Sequence, residues 1–194
     1  MNNKDDLRIL DYTSEVTFPY IKGLLIVNPP SVIDSRLQKL LKYSFPNNLR
    51  RFHIGWSHNK SLTHDYIDTL SCIISRTTDK VKLYWPRMDY SEFSRIVIAS
   101  KHTHTLIFSC LRLRKRGTIN FGNDIDYNIK KFGLQWSGHR LYSDWRYDKS
   151  QLFYIVEEMK KSNIHNKLEF FNVIHSKINV FMCLDAITMA LNSS

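Results

Sequence analysis

HTLIFSCLRLRKR, residues 104–116, carries three readings at once. His104 and Cys110 are metal-ligating types, the cations at 112, 114, 115 and 116 are spaced to grip phosphates, and Leu106 and Phe108 alternate as core residues of a strand do. The third reading recurs along the chain, and the recurrence decides the fold. The same period-2 alternation stands at GLLIVN (23–28), RFHIGW (51–56), KVKLYW (80–85), KFGLQW (131–136) and KLEFFN (167–172).

Aligned on their first large apolar residue, the six pieces begin at Leu24, Phe52, Val81, Leu106, Phe132 and Leu168, at spacings of 28, 29, 25, 26 and 36 residues. Each keeps an apolar pair two residues apart, from Leu24/Ile26 to Leu168/Phe170, and in a strand such a pair shares one face. Helical spacing fills most of the intervals. SVIDSRLQKLLKY (31–43) repeats Ile33, Leu37, Leu40 and Leu41, after Pro29-Pro30 has ended a strand and Ser31 has offered an N-cap. THDYIDTLSCIIS (63–75) does so at Tyr66, Ile67, Leu70 and Ile74, and DYSEFSRIVIAS (89–100) opens on an Asp89/Glu92 capping box. DKSQLFYIVEEMKK (148–161) carries the stripe Leu152, Ile155, Val156, Met159 with Glu157 and Lys161 as an i,i+4 pair, and NVFMCLDAITMAL (179–191) supplies a last helix. One link differs. KRGTINFGNDIDYN (115–128) has two glycines and no stripe, which predicts an irregular connection.

A strand, a crossover and a second strand about 28 residues on form a parallel β–α unit, which buries its apolar face only by stacking on neighbours. The expected fold is therefore α/β, with about six such units in one array over 1–194: an N-terminal cap (1–20), strand–helix units (21–178) and a C-terminal capping helix (179–194).

IKGLLI (21–26), LRRFHI (49–54) and IKKFGL (129–134) fit L-x-x-L-x-L, while Thr78, Thr103 and His165 fill the first of those positions in the other three units. A further apolar residue seven after the second leucine occurs as Met88 and Leu113. In these features the chain resembles a degenerate leucine-rich-repeat protein of the ribonuclease-inhibitor-like type. The resemblance implies a short horseshoe solenoid with a parallel sheet on the concave side and helices on the convex side. It also implies binding rather than catalysis.

The formal charge of +10 over 194 residues favours an acidic partner, although lysine from AT-rich coding gives the same sign. Cys72, Cys110 and Cys183 are odd in number and scattered, which points away from a disulfide framework and towards a reducing compartment. The N-terminus has no basic start followed by an apolar stretch, and LLIV (24–27) is too short to span a bilayer. The expectation is a cytoplasmic protein, with the nucleus as the alternative.

His102, His104 and Cys110 form H-x-H-x5-C, but no second close ligand pair accompanies them, so no metal is expected. Trp56, Trp85 and Trp136 stand two residues beyond the apolar pairs, where they read as edge residues of the core or as a stacking platform. Cys110 takes the same place in its own unit. No G-x-S-x-G, H-E-x-x-H, phosphate loop or dinucleotide fingerprint is present, so neither catalytic residues nor a cofactor nor a small-molecule substrate is expected.

With the apolar pairs inward, the outward position before them holds Gly23, Arg51, Lys80, Thr105, Lys131 and Lys167. The next outward position adds His53 and Lys82, and the one after it Tyr84, Gln135 and Phe171. Stacked units would bring these residues together as a partner-binding surface, against the plainer reading of a solvated sheet face. Arg112, Arg114, Lys115 and Arg116 read as a rim, either a solvated loop or a set of phosphate contacts, within a span (101–147) holding nine Lys or Arg against three acids. The expected function is a non-catalytic module that binds an acidic protein through the concave sheet. The alternative is a nucleic-acid-binding protein using the basic ladder and the rim.

Overall fold

The computed structural model describes residues 18–30, 32–56, 62–84, 86–136 and 149–175. The expected C-terminal helix, almost all of the N-terminal cap, Ser31 and Trp85 lie outside them. In chain order the elements are β1 (Gly23–Val27), α1 (Ser35–Tyr43), β2 (Leu49–Gly55), α2 (His64–Ile74), β3 (Thr77–Tyr84), β4 (Arg87–Asp89) and α3 (Tyr90–Ala99). Then follow β5 (Thr105–Ser109), β6 (Arg112–Arg114), β7 (Lys131–Trp136), α4 (Lys149–Lys161), α5 (Ile164–Lys167) and β8 (Phe170–His175). Six strands form one sheet in the order β1-β2-β3-β5-β7-β8, and every neighbouring pair is parallel.

Period-2 alternation fixes the inner face. Leu24, Phe52, Val81, Leu106, Phe132 and Phe171 are register partners in one row, and Ile26, Ile54, Leu83, Phe108, Leu134 and Val173 in the next. From Phe52 to Leu134 these side chains are at most 1% exposed. They pack on the apolar stripes of the helices: Phe93 of α3 lies 5.0 Å from the Phe108 ring, and Tyr66 of α2 meets Trp56 edge-on at 5.8 Å. Burying one such side chain contributes about 1.5–3 kcal/mol.

The strand entries form a third inner row. Leu49, Thr77, Thr103 and Ile129 are all fully buried, and Thr103 Oγ1 donates to the Thr77 carbonyl at 2.7 Å. Threonine keeps this row intact at two units because its hydroxyl finds a backbone acceptor. A bulge between Leu49 and Arg51 brings Thr77 rather than Thr78 inward.

Met88 and Leu113, the apolar residues seven after the second leucine, are partners in a second, two-stranded parallel sheet of β4 and β6. The Asp89/Glu92 capping box forms, with the Asp89 N–H donating to Glu92 Oε2 at 2.7 Å. The stretch 115–130 contains no helix or strand, with Gly117 and Gly122 at positive φ. Ile119, Phe121, Tyr127 and Ile129 are buried there in place of a helical stripe. The α4 stripe is buried as its spacing predicts.

Three local expectations are corrected. The first helix starts at Ser35, capped by Asp34, whose carboxylate accepts from the Leu37 N–H at 2.7 Å. Lys161 pairs with Glu158 at i,i+3, 2.8 Å away, rather than with Glu157. The last strand runs three residues later than its alternation suggests, so Leu168 stands just before it and Phe171/Val173 form its inward pair.

Candidate partner-binding face

The sheet face turned away from the helices carries three rows of side chains. The parallel register aligns Gly23, Arg51, Lys80, Thr105 and Lys131 in the first row and Leu25, His53, Lys82, Ile107 and Gly133 in the second. Val27, Gly55, Tyr84, Ser109 and Gln135 make the third. Neighbouring strands lie about 4.8 Å apart, so Arg51 and Lys80 are lateral neighbours, and so are His53 and Lys82.

Two of the expected face residues are elsewhere. Phe170, not Lys167, partners Lys131 in β8; Lys167 ends the short α5 and its ammonium bonds Asp126. Phe171 turns inward, its ring 6.0 Å from Phe132. The physical reason is α5 itself: the chain completes a helical turn through Lys167 and only then extends, which shifts the strand by three residues. Reading the motif one step further would have found it, since Leu168, Phe171 and Val173 complete L-x-x-L-x-L where His165, Leu168 and Phe170 do not.

Arg51 is held at one edge by Asp79, 3.3 Å away, a largely exposed pair worth little in itself. Lys82 places its ammonium 4.3 Å from the centre of the Tyr84 ring, a cation–π contact that occupies one face of that ring. The root of the Tyr84 side chain lies over Gly55: a methyl there would sit 3.1 Å from Tyr84 Cβ. Gln135 accepts a hydrogen bond from Ser109 Oγ at 2.9 Å. His53 sits between these groups, half-buried, with its Nε2 shielded from solvent and unpartnered. Burial first, and then the charges of Lys80, Lys82 and Arg51, hold its imidazole pKa below the ordinary 6.5.

The anticipated rim is partly structural. Arg112 and Arg114 belong to β6 rather than to a loop, and Arg114 Nε bonds Asp89 at 2.5 Å with Glu92 4.0 Å from its Nη2. Those two acids cap α3, so Arg114 ties the second sheet to a helix start and is not a free phosphate contact. Lys115 and Arg116 are exposed.

His104 immediately precedes β5 and Cys110 immediately follows it. At a strand rise of about 3.3 Å per residue they are about 20 Å apart, too far to share an ion. Among the described residues, no three His, Cys, Asp or Glu side chains come together as ligands would. Trp56 is buried at 2% exposure, as a core residue, while Cys110 is half-buried with φ 58 where the chain leaves its strand. No helix among the described residues is long and apolar enough to cross a membrane. No family model, curated protein or solved structure matches this chain.

Proposed function

We propose that the chain is a short leucine-rich-repeat-like solenoid that binds an acidic protein segment on the open face of its sheet and catalyses no reaction. The solenoid reading rests on unit-by-unit repetition. Strand order follows chain order, the buried strand-entry row recurs from Leu49 to Ile129, and Met88 partners Leu113 in a second parallel ladder.

One observation carries the functional reading. The three outward rows of β1, β2, β3, β5 and β7 contain no Asp or Glu, and yet hold Arg51, Lys80, Lys82 and Lys131 beside His53. Like charges on adjacent strands destabilise a sheet unless something offsets them. Asp79 does so for Arg51. For Lys80, beside Arg51, an acidic ligand would do it, and what the face would offer a partner is charge, with Lys131 further along the same row and Tyr84 and the exposed Leu25 and Val27 as apolar flanks. A nucleic-acid ligand has less support, because Lys82 already covers a face of the Tyr84 ring and Arg114 is committed to Asp89.

Replacing Lys80, Lys82 and Lys131 together by serine tests the reading. Affinity purification from nuclease-treated native extract should lose its acidic partner with this variant and keep it with K167S, whose lysine lies off the face. Equal capture by wild type and triple variant would exclude the open face. Capture that vanishes on nuclease treatment, with RNA affinity falling steeply with salt, would move the assignment to nucleic acid.

A further inference from the structure

The position of His53 extends this reading, on which it depends, from what the face binds to how the binding is controlled. The parallel register sets His53 directly opposite Lys82 on β3 and Leu25 on β1, with Arg51 two residues away on its own strand and Lys80 partnering Arg51. The charges that act on the ring are those of Lys80, Lys82 and Arg51, the last paired with Asp79 at 3.3 Å, and the β1 side offers only apolar Leu25 and Gly23. His53 Nε2 is covered and has no hydrogen-bond partner. A shielded nitrogen without a partner makes a charge on this ring costly until an anion faces the part of the ring that is still exposed.

We propose that the open face binds carboxylates of an acidic peptide with uptake of one solvent proton by His53, so that binding strengthens as pH falls. In the free protein a proton on this ring would add a further cation beside three others, so the ring takes it up less readily than an ordinary imidazole. A carboxylate seated among Lys80, Lys82 and Arg51 cancels the field that those cations exert on the imidazole. The proton is then favoured, because the imidazolium faces an anion instead of three cations. The sign follows by linkage: a group whose pKa is higher in the complex than in the free protein makes the complex more stable as pH falls through the higher value, and the gain levels off below the lower one.

The experiment uses the full chain, octaglutamate as the probe and constant low salt. Octaglutamate remains ionised over pH 6–8, so a change in affinity there reports on the protein. Binding is expected to be about fivefold tighter at pH 6 than at pH 8, the full tenfold of one unit of pKa difference being reached only below the lower pKa. The His53 imidazole, followed by NMR, should titrate below 6.5 in the free protein and move upward with saturating peptide. H53Q should bind octaglutamate with an affinity that no longer changes between the two pH values. Binding of equal strength at both, with the His53 titration unmoved by peptide, overturns the proton link and leaves the face reading standing. Absence of binding at either pH overturns both, and a 20-nucleotide mixed-sequence RNA that binds where octaglutamate does not replaces the peptide by nucleic acid.

Discussion

Gly55 shows how a residue without a side chain can set the position of a charge. Its neighbour across the β2–β3 pairing is Tyr84, whose side chain begins over the glycine, and the Tyr84 ring in turn carries the Lys82 ammonium at 4.3 Å. A β-carbon at 55 would stand 3.1 Å from Tyr84 Cβ, so the root of that side chain must give by a few tenths of an ångström, while Cγ at 3.6 Å is at ordinary contact distance. Gly55→Val is therefore expected to cost on the order of 1 kcal/mol in urea denaturation, as overpacking does, although valine suits a strand. Gly23→Val is the control, since the added atom meets nothing nearer than the Arg51 β-carbon at 3.8 Å. If both variants lose the same stability, the Tyr84 contact does not explain the loss. This packing was not legible in the sequence: the spacing puts Gly55 and Tyr84 in one row, but nothing in it says that the ring lies over the glycine.

Among the elements, Arg76 joins two helices at their C-terminal ends. Its Nη2 donates to the Leu41 carbonyl at 2.8 Å, its Nη1 to the Phe45 carbonyl at 3.3 Å and its Nε to the Cys72 carbonyl at 3.2 Å. Leu41 lies in the last turn of α1 and Cys72 in that of α2, where carbonyls lack intrahelical partners and the helix dipole favours a cation. A guanidinium suits this place because its donors are held in a fixed fork. Arg76→Ala should cost about 2 kcal/mol in chemical denaturation, the range for stranding partly buried acceptors. Arg76→Lys should recover only part of it, since one ammonium cannot reach three carbonyls. Full recovery by lysine would show that charge rather than geometry carries the effect. The α1 stripe was legible in its apolar period and its start was not, because Ser31 and Asp34 are equally good caps on paper. The bond from the Leu37 N–H to the Asp34 carboxylate and the extended backbone at Asp34, with φ −81 and ψ 165, fix the start at Ser35.

At the scale of the whole molecule, the parallel α/β alternation was legible because every strand is read through the same inward pair, repeated at intervals that the crossovers keep nearly constant. It failed where the interval changed. The fifth interval contains α4 and the extra turn α5, and alternation alone could not tell which of two overlapping apolar pairs, Leu168/Phe170 or Phe171/Val173, the sheet would take. The cost of choosing wrongly is a full exchange of faces, so Lys167 was expected outside and Phe171 outside, and neither is on the open face. Packing settles the choice, through a path of rings that also predicts where the molecule is most sensitive. Phe121 of the irregular link lies 5.8 Å from Phe93 of α3, Phe93 5.0 Å from Phe108 of β5, Phe108 6.1 Å from Phe132 of β7, and Phe132 6.0 Å from Phe171 of β8. Phe108 is the ring that touches both the helix layer and the next strand, and it is fully buried. Phe108→Ala should cost about 3–5 kcal/mol, the lost transfer energy together with the cavity left among Phe93 and Phe132. Phe108→Leu, which refills most of the volume, should cost about 1 kcal/mol. Urea denaturation followed by circular dichroism and by tryptophan fluorescence measures both. Coincident transitions in the alanine variant would mean that the sheet still unfolds as one unit. A transition split between the two probes would mean that removing this ring uncouples β7 and β8 from the strands before them, and would locate the weakest junction of the sheet at β5.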